Sequence, residues 1–263
     1  MLEEKIYAKP FVKWVGGKTQ LLGEVEKSLP SVFSSINDVV YRVIKESPNE
    51  LIEILKQFQS DYTSLTEAER KEYYISNRKR FNEKSESAVC MAALFIFLNR
   101  TCFNGLYRVN AKGDFNVPHG KYANPRICDE TNILAVSTLL QRVEILCGDF
   151  SETLRYASDK TLFYFDPPYK PLSETSSFTS YAKEGFDDDE QKRLGEFCEE
   201  ISKKHAMFVA SNSDPQGINP EEKFFDEIYR AFNIRKVKAT RMINANPNGR
   251  GKLSEIMITN INI

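Results

Sequence analysis

The four residues Asp166-Pro167-Pro168-Tyr169 have the types and spacing to act on an amino group. They follow the apolar run 161–165, which is typical of a short buried strand. Two prolines end the strand and leave a carboxylate, a carbonyl and an aromatic ring at its carboxyl end, where ligands bind in open α/β sheets. An amino group on a flat ring would find two acceptors there, Asp166 and the Pro167 carbonyl, and a stacking surface in Tyr169. A plain strand-to-loop turn is the alternative.

The composition indicates a globular protein of a reducing compartment. A chain of 263 residues, 41% hydrophobic and 28% charged, can bury the core of one large domain, with or without an inserted lobe. The five cysteines are scattered, which argues against disulfides or a zinc site and favours the cytoplasm. The amino terminus does not resemble a signal peptide, and the longest apolar run, 89–98, is too short to span a membrane. We expect no metal and no membrane association.

The basic residues are grouped although the net charge is only −1. The stretch 99–126 contains five basic residues against one acid, and the stretch 234–253 contains six basic residues and no acid. Such groups could form a face that contacts phosphates. A solvated surface with chance clustering is the alternative.

The order of elements predicts a doubly wound, Rossmann-like α/β sheet with a mainly helical insertion. Residues 1–57 and 141–263 would form the sheet domain, and residues 58–140 the insertion. The predicted strands are 143–147, 161–165, 207–210 and 253–261, and the predicted helices are 19–29, 38–57, 86–100 and 188–204, with a capping box at 64–67.

Two further features have structural alternatives. Gly16-Gly17-Lys18 is not a phosphate-binding loop of an ATPase, because that motif needs a glycine where Val12 stands and a strand before it. A tight turn is the alternative there. Asp149 follows a strand-like run, where an acid is often only a helix cap or a turn residue.

Five segments, in order, resemble the Dam-type DNA adenine-N6 methyltransferases, the D12 class, in the segment order of its α group. The similarity covers most of the chain. The segments are Lys9-Pro-Phe-Val-Lys-Trp-Val-Gly-Gly-Lys18 and its continuation to 22, the target-recognition segment 98–122, the cofactor motif 148–150, the catalytic motif 166–169, and the carboxyl-terminal segment 241–260.

The resemblance implies S-adenosylmethionine as methyl donor and adenine in double-stranded DNA, most often within GATC, as target. Residues 1–57 and 141–263 would then be the catalytic, donor-binding domain, and 58–140 the target-recognition domain. The resemblance also allows a cognate restriction nuclease in the same system, which would not contact this protein directly. The implied donor residues are Trp14, Gly16, Gly17, Lys18, Asp38, Asp149, Phe150 and Asp166.

The family also implies the residues that act on DNA. Asp166 and Pro167 would hold the target amino group, with Pro168 completing the motif, and Tyr169 would stack on the flipped base. Asn104 would enter the space that the base leaves. The implied DNA contacts are Lys13, Arg100, Asn104, Leu106, Arg108, Asn116, Pro118 and Tyr122.

One departure from the family concerns the donor. The family carries a strand ending in Glu-Pro-Phe-x-Gly-x-Gly soon after its first helix, whereas residues 30–38 here pass directly into the next helix. A βα unit of about 30 residues is therefore expected to be absent, and Asp38 is either the ribose acid or only a helix cap. Two functions follow: an active GATC methyltransferase, or a catalytically impaired relative that only binds DNA. Methylation of RNA or protein by a related fold is a weaker third reading.

Overall fold

The computed structural model describes residues 35–172, 186–240 and 252–261, and the predicted helix 19–29 lies outside them. The described chain separates into two compact units, residues 35–147 and the described residues from 148 onward. The assignment of 1–57 and 141–263 to a catalytic domain and of 58–140 to a recognition domain stays a prediction.

The first unit is built around one apolar helix. The helices of this unit are α1 (Ser35–Glu46), α2 (Pro48–Ser64), α3 (Glu67–Glu83), α4 (Ala88–Thr101) and α5 (Glu130–Leu140). The predicted helix 86–100 is confirmed as α4, and its residues 92–99 are all buried, as expected for a helix that is apolar on every side. Helices α1, α2 and α3 pack against α4, and α5 packs against α1 and α2.

Two helix boundaries differ from the predictions. The single helix predicted over 38–57 is wrong, because the chain forms two helices separated at Ser47, with Pro48 at the start of the second. Proline has no backbone N–H and suits a first helical turn, not a helix interior. The capping box lies two residues after its predicted place: Thr66 caps α3, and the Glu69 carboxylate accepts from the Thr66 N–H at 2.8 Å.

The predicted strand at 143–147 is wrong. The segment pairs with no described strand, and Val143 and Leu146 are 39% and 40% exposed. Its carbonyls accept hydrogen bonds from side chains of α1: Arg42 donates to Ile145 O, and Lys45 donates to Val143 O, both at 2.8 Å. An apolar run becomes a strand only where a neighbour completes its backbone hydrogen bonds.

The second unit contains a mixed sheet and confirms the α/β class. The elements are β1 (Leu162–Phe165), α6 (Asp188–Lys203), β2 (Met207–Ser213), α7 (Phe224–Ile228), β3 (Asn233–Thr240) and β4 (Lys252–Thr259). Parallel β1 and β2 are followed in space by β4 and β3, each antiparallel to its neighbour, so the last described strand lies inside the sheet.

Three predicted strands and one predicted helix of this unit are confirmed, as β1, β2, β4 and α6. The sequence analysis did not predict β3. The basic residues Arg235, Lys236 and Lys238 interrupt the alternation of apolar and polar residues that indicates a strand.

Aromatic side chains fix the position of β1. Phe163 and Phe165 lie on the same face of the sheet, because side chains two residues apart in a strand point the same way. The Phe197 ring of α6 meets both of them edge to face, with ring centroids 6.2 and 6.0 Å away. The carboxyl end of β1 is therefore held by a packed core.

Candidate functional site

The Asp166 carboxylate is held at the end of β1 but remains accessible. Phe165 pairs with Ala210 of the parallel β2, so Asp166 lies beside Ser211. The buried Ser211 hydroxyl donates to Asp166 Oδ1 at 2.9 Å, while Asp166 itself is exposed. The arrangement orients an acceptor towards any amino group that approaches this edge of the sheet.

The turn that follows Asp166 is anchored by residues that the sequence analysis missed. Gln191 of α6 donates to the Pro168 carbonyl at 2.9 Å, and the Lys170 N–H donates to Asn212 Oδ1 at 3.0 Å. The Tyr169 hydroxyl donates to Glu255 on β4 at 3.1 Å. A sequence signal existed in the polar run 211–214, which ends an otherwise apolar strand.

Asp214, at the end of that run, is a buried acid that holds neighbouring strands together. Its side chain is 2% exposed, and it accepts from Ser254 at 2.5 Å and pairs with Lys236 at 3.3 Å. A buried carboxylate needs such partners, and these join β2 to β3 and β4.

Asp149 is bound by an arginine. Arg193 of α6 donates to both carboxylate oxygens of Asp149, at 2.9 and 2.7 Å. These bonds, with two from the Ser151 hydroxyl and N–H, hold the pKa of Asp149 well below its usual range. The same guanidinium lies over the ring of Phe150, 4.2 Å from its centroid, and pairs with Glu190. Phe150 is only 7% exposed and belongs to the core.

The other expected donor residues are either paired or undescribed. Asp38 lies in the first turn of α1 and pairs with Arg42 at 2.8 Å. Trp14, Gly16, Gly17 and Lys18 lie outside the described residues, as does the DNA residue Lys13. Asp38 and Asp149 thus each pair with an arginine within their own unit, and Phe150 lies in the core of the second unit.

The recognition loop, defined here as residues 102–122, is an ordered structure. Isolated bridges join Cys102 to His119 and Val109 to Phe115. Exposed Arg108 is held across the loop by Asn116, with Nε donating to Oδ1 at 2.7 Å and Nη2 to the carbonyl at 3.3 Å. A guanidinium oriented in this way can present its remaining donors to a base edge.

The remaining expected DNA residues lie in or beside this loop. Asn104 is exposed with φ of 55°, and its N–H donates to the Tyr122 hydroxyl at 3.2 Å. Pro118 is exposed and Leu106 is half-buried. Arg100, at the end of α4, is half-buried, and burial lowers its pKa.

Helices α2 and α3 support the loop through residues that the sequence analysis did not single out. Buried Tyr62 bonds to His119 Nε2 at 2.7 Å, and buried Tyr74 donates to the Val117 carbonyl at 2.8 Å. Asn82 bonds to both backbone groups of Phe115. His119 is therefore part of the scaffold, and burial lowers its pKa.

Two features are absent from the residues that the structure describes. Residues 35–172, 186–240 and 252–261 contain no helix long and apolar enough to cross a membrane. The same ranges contain no cluster of His, Cys, Asp and Glu that could hold a metal ion.

The chain belongs to the D12 class N6 adenine-specific DNA methyltransferases, since the model of that family matches residues 33–243. The mixed sheet and its helices are consistent with the Rossmann-like methyltransferase fold. The chain is accordingly an enzyme of the adenine-specific DNA methyltransferase class.

Curated relatives cover nearly the whole chain. The type II methyltransferase M.MjaIII of Methanocaldococcus jannaschii is 42% identical, over 96% of this chain and 99% of its own length. The type II methyltransferase M1.LlaDCHI of Lactococcus lactis subsp. cremoris is 37% identical, over 98% and 97%. A DNA adenine methylase of Vibrio cholerae is 33% identical, over 95% of each.

The alignments also indicate residues that this chain lacks. The alignment with M.MjaIII spans 291 positions, whereas the chain has 263 residues, so at least the difference of 28 positions has no counterpart here. The absence of the βα unit stays a prediction.

Proposed function

We propose that this enzyme transfers a methyl group from S-adenosylmethionine to N6 of adenine in double-stranded DNA, within GATC. The observation that carries the proposal is the exposed Asp166 carboxylate, oriented by Ser211 at the end of a buried strand and followed by Pro167 and Tyr169. Membership of the adenine-specific family supports the choice of the target atom. The proposed enzyme works in the cytoplasm, and a cognate restriction nuclease, where the system has one, would share its DNA site without contacting it.

Asp166 and Pro167 supply the chemistry that the adenine amino group needs. The lone pair of N6 is delocalised into the ring, which makes the nitrogen a poor nucleophile. Two acceptors on its hydrogens pull the nitrogen towards tetrahedral geometry and localise that pair. The donor supplies an activated methyl group when bound, and the protein contributes position and electrostatics.

Tyr169 provides a surface for the adenine outside the duplex. A base inside the helix cannot reach the Asp166 carboxylate, so it must leave its stack, and a stacking partner offsets part of that cost. The Tyr169 ring is attached to the same turn as Asp166, so one rigid segment would hold both the ring and the amino group of the target base.

The recognition loop supports the proposal that duplex DNA is read in its major groove. Arg108 is exposed and oriented by Asn116, which suits a bidentate contact to guanine. Replacing Arg108 with alanine should cost about 1–3 kcal/mol at GATC and reduce discrimination there. Lys121→Ala is the control, because an exposed lysine would contact at most phosphate. Equal weakening on all sequences, measured by duplex titration, would assign Arg108 to the DNA backbone instead.

A second candidate function is DNA binding with impaired transfer. It is favoured by the lack of any glycine between Gly23 and Gly105, where the family's glycine loop would lie, and by Arg193, which binds an acid expected at the donor site, Asp149. Because the turn at Asp166 is intact, the two candidates differ in donor affinity and share their DNA contacts.

The reaction is tested by incubating the protein with the donor and a GATC duplex. The product is then cut with nucleases that tolerate, or do not tolerate, methylated adenine. Protection from a nuclease that is blocked by the mark is expected, however slowly it develops. Methyl groups on cytosine, or only on duplexes without GATC, would contradict the proposed reaction.

A further inference from the structure

Tyr169 lies between two anchored backbone groups. The carbonyl before it, on Pro168, accepts from Gln191 Nε2 at 2.9 Å, and the N–H after it, on Lys170, donates to Asn212 Oδ1 at 3.0 Å. The two amides also bond to each other, with Asn212 Nδ2 donating to Gln191 Oε1 at 3.1 Å. One connected pair of side chains therefore holds both sides of a single residue.

Both amide side chains of the pair are buried and hydrogen-bonded. Gln191 is 1% exposed and Asn212 is 2% exposed, in the first turn of α6 and near the end of β2. Asn212 Oδ1 also accepts from the Ser213 N–H at 2.9 Å. Buried amides stabilise a fold little compared with apolar side chains, but they fix the position of whatever they bond. Position is therefore the main property that this pair contributes.

We propose that Gln191 and Asn212 are positioning residues that clamp the backbone of Tyr169 and so fix the plane of its ring for the flipped adenine. The proposal rests on the proposed function, because only that function gives the ring a base to meet. The bond from the Tyr169 hydroxyl to Glu255 adds a third point of attachment, at the far end of the ring. A ring fixed in advance loses less freedom when a base stacks on it.

The clamp can be measured in the protein without donor or DNA. A single 3-fluorotyrosine at position 169 gives one fluorine resonance, and the Lys170 amide gives an exchange rate. Gln191→Leu and Asn212→Leu should each move the resonance towards that of free fluorotyrosine. Each should also speed exchange of the Lys170 amide about tenfold, the factor expected for loss of one hydrogen bond.

The matched control is Cys198→Ala. Cys198 is buried on the same helix, two turns beyond Gln191, and among the described residues no hydrogen bond joins its side chain to the turn. It should lower the melting temperature without changing the Tyr169 resonance or the exchange rate of Lys170. The double variant Gln191→Leu/Asn212→Leu should behave like either single variant, because the amides act as one unit.

Two outcomes separate the clamp from the proposed reaction. The first comparison is between Gln191→Leu and Cys198→Ala when the two variants have the same melting temperature. If the Lys170 amide then exchanges no faster in Gln191→Leu than in Cys198→Ala, the clamp is contradicted, whatever the chain methylates. If the variants release the ring while the unmodified chain shows no adenine methylation in the nuclease assay, the clamp stands and the proposed function fails.

Discussion

Two apolar runs of this chain, each followed by an acid, adopt different structures. The run 161–165 forms β1, buries its phenylalanines and places Asp166 at the edge of a sheet. The run 143–147, which leads to Asp149, forms no strand and exposes Val143 and Leu146. Both runs have the composition of a strand, so composition cannot explain the difference.

The difference is the presence of a neighbour. β1 pairs with β2 along its whole length, whereas α1 side chains take carbonyls of 143–147 that a neighbouring strand would otherwise bond. One relative, M.MjaIII, aligns over 291 positions, more than the 263 residues of this chain. The two runs thus differ in whether a described strand pairs with them.

The largest expected difference between the two runs is in the free energy of unfolding that one apolar side chain of each contributes. Phe163→Ala should lower the free energy of unfolding by about 3–5 kcal/mol, since the ring is 2% exposed and packs on Phe197. Leu146→Ala should change it by less than about 0.5 kcal/mol, since that side chain is already 40% exposed. Urea titrations of both variants check the pair. Similar costs would show that 143–147 is packed after all.

The next effect concerns the acid after each run. Asp166→Ala should reduce methyl transfer at least about 100-fold, the usual cost of removing one group that stabilises a transition state electrostatically. Duplex affinity should change little, because the carboxylate acts on the flipped amino group. Asp159→Ala, an exposed acid in a nearby turn, controls for charge. Single-turnover assays that leave the Asp166→Ala rate close to that of the parent would remove Asp166 from its proposed role.

The smallest effect is the stability that Asp149 contributes. Arg193 lowers the pKa of Asp149 in the folded protein, so the ion pair stabilises the fold above the unfolded pKa, near 4, and is lost as pH falls through the folded value. The pair is substantially exposed, so its contribution is at most about 1 kcal/mol. Asp149→Asn should therefore be less stable than the parent at pH 7, and the gap should narrow below about pH 4. A gap that widens in acid would reverse the sign of the interaction.

Local pattern predicted the elements that hold the proposed catalytic turn. The strand at 161–165, its end before the two prolines and the helix at 188–204 all depend on neighbours in sequence, and all three are confirmed. Pairing across the chain could not be predicted in this way. Gln191 and Asn212 reach the turn from 23 and 42 positions away. The strand predicted at 143–147 has no described strand as a partner, and local pattern does not reveal that.

Donor affinity tests the central claim, a complete catalytic turn beside an incomplete donor site, most directly. S-adenosylmethionine is titrated calorimetrically into the chain and into a variant that carries a Glu-Pro-Phe-x-Gly-x-Gly strand and loop between Phe33 and Asp38. The unmodified chain should bind the donor far more weakly than the restored variant and transfer methyl slowly, and the restored variant should recover both affinity and rate, because the loop lets backbone amides approach the donor. Micromolar affinity with normal turnover in the unmodified chain would contradict the claim.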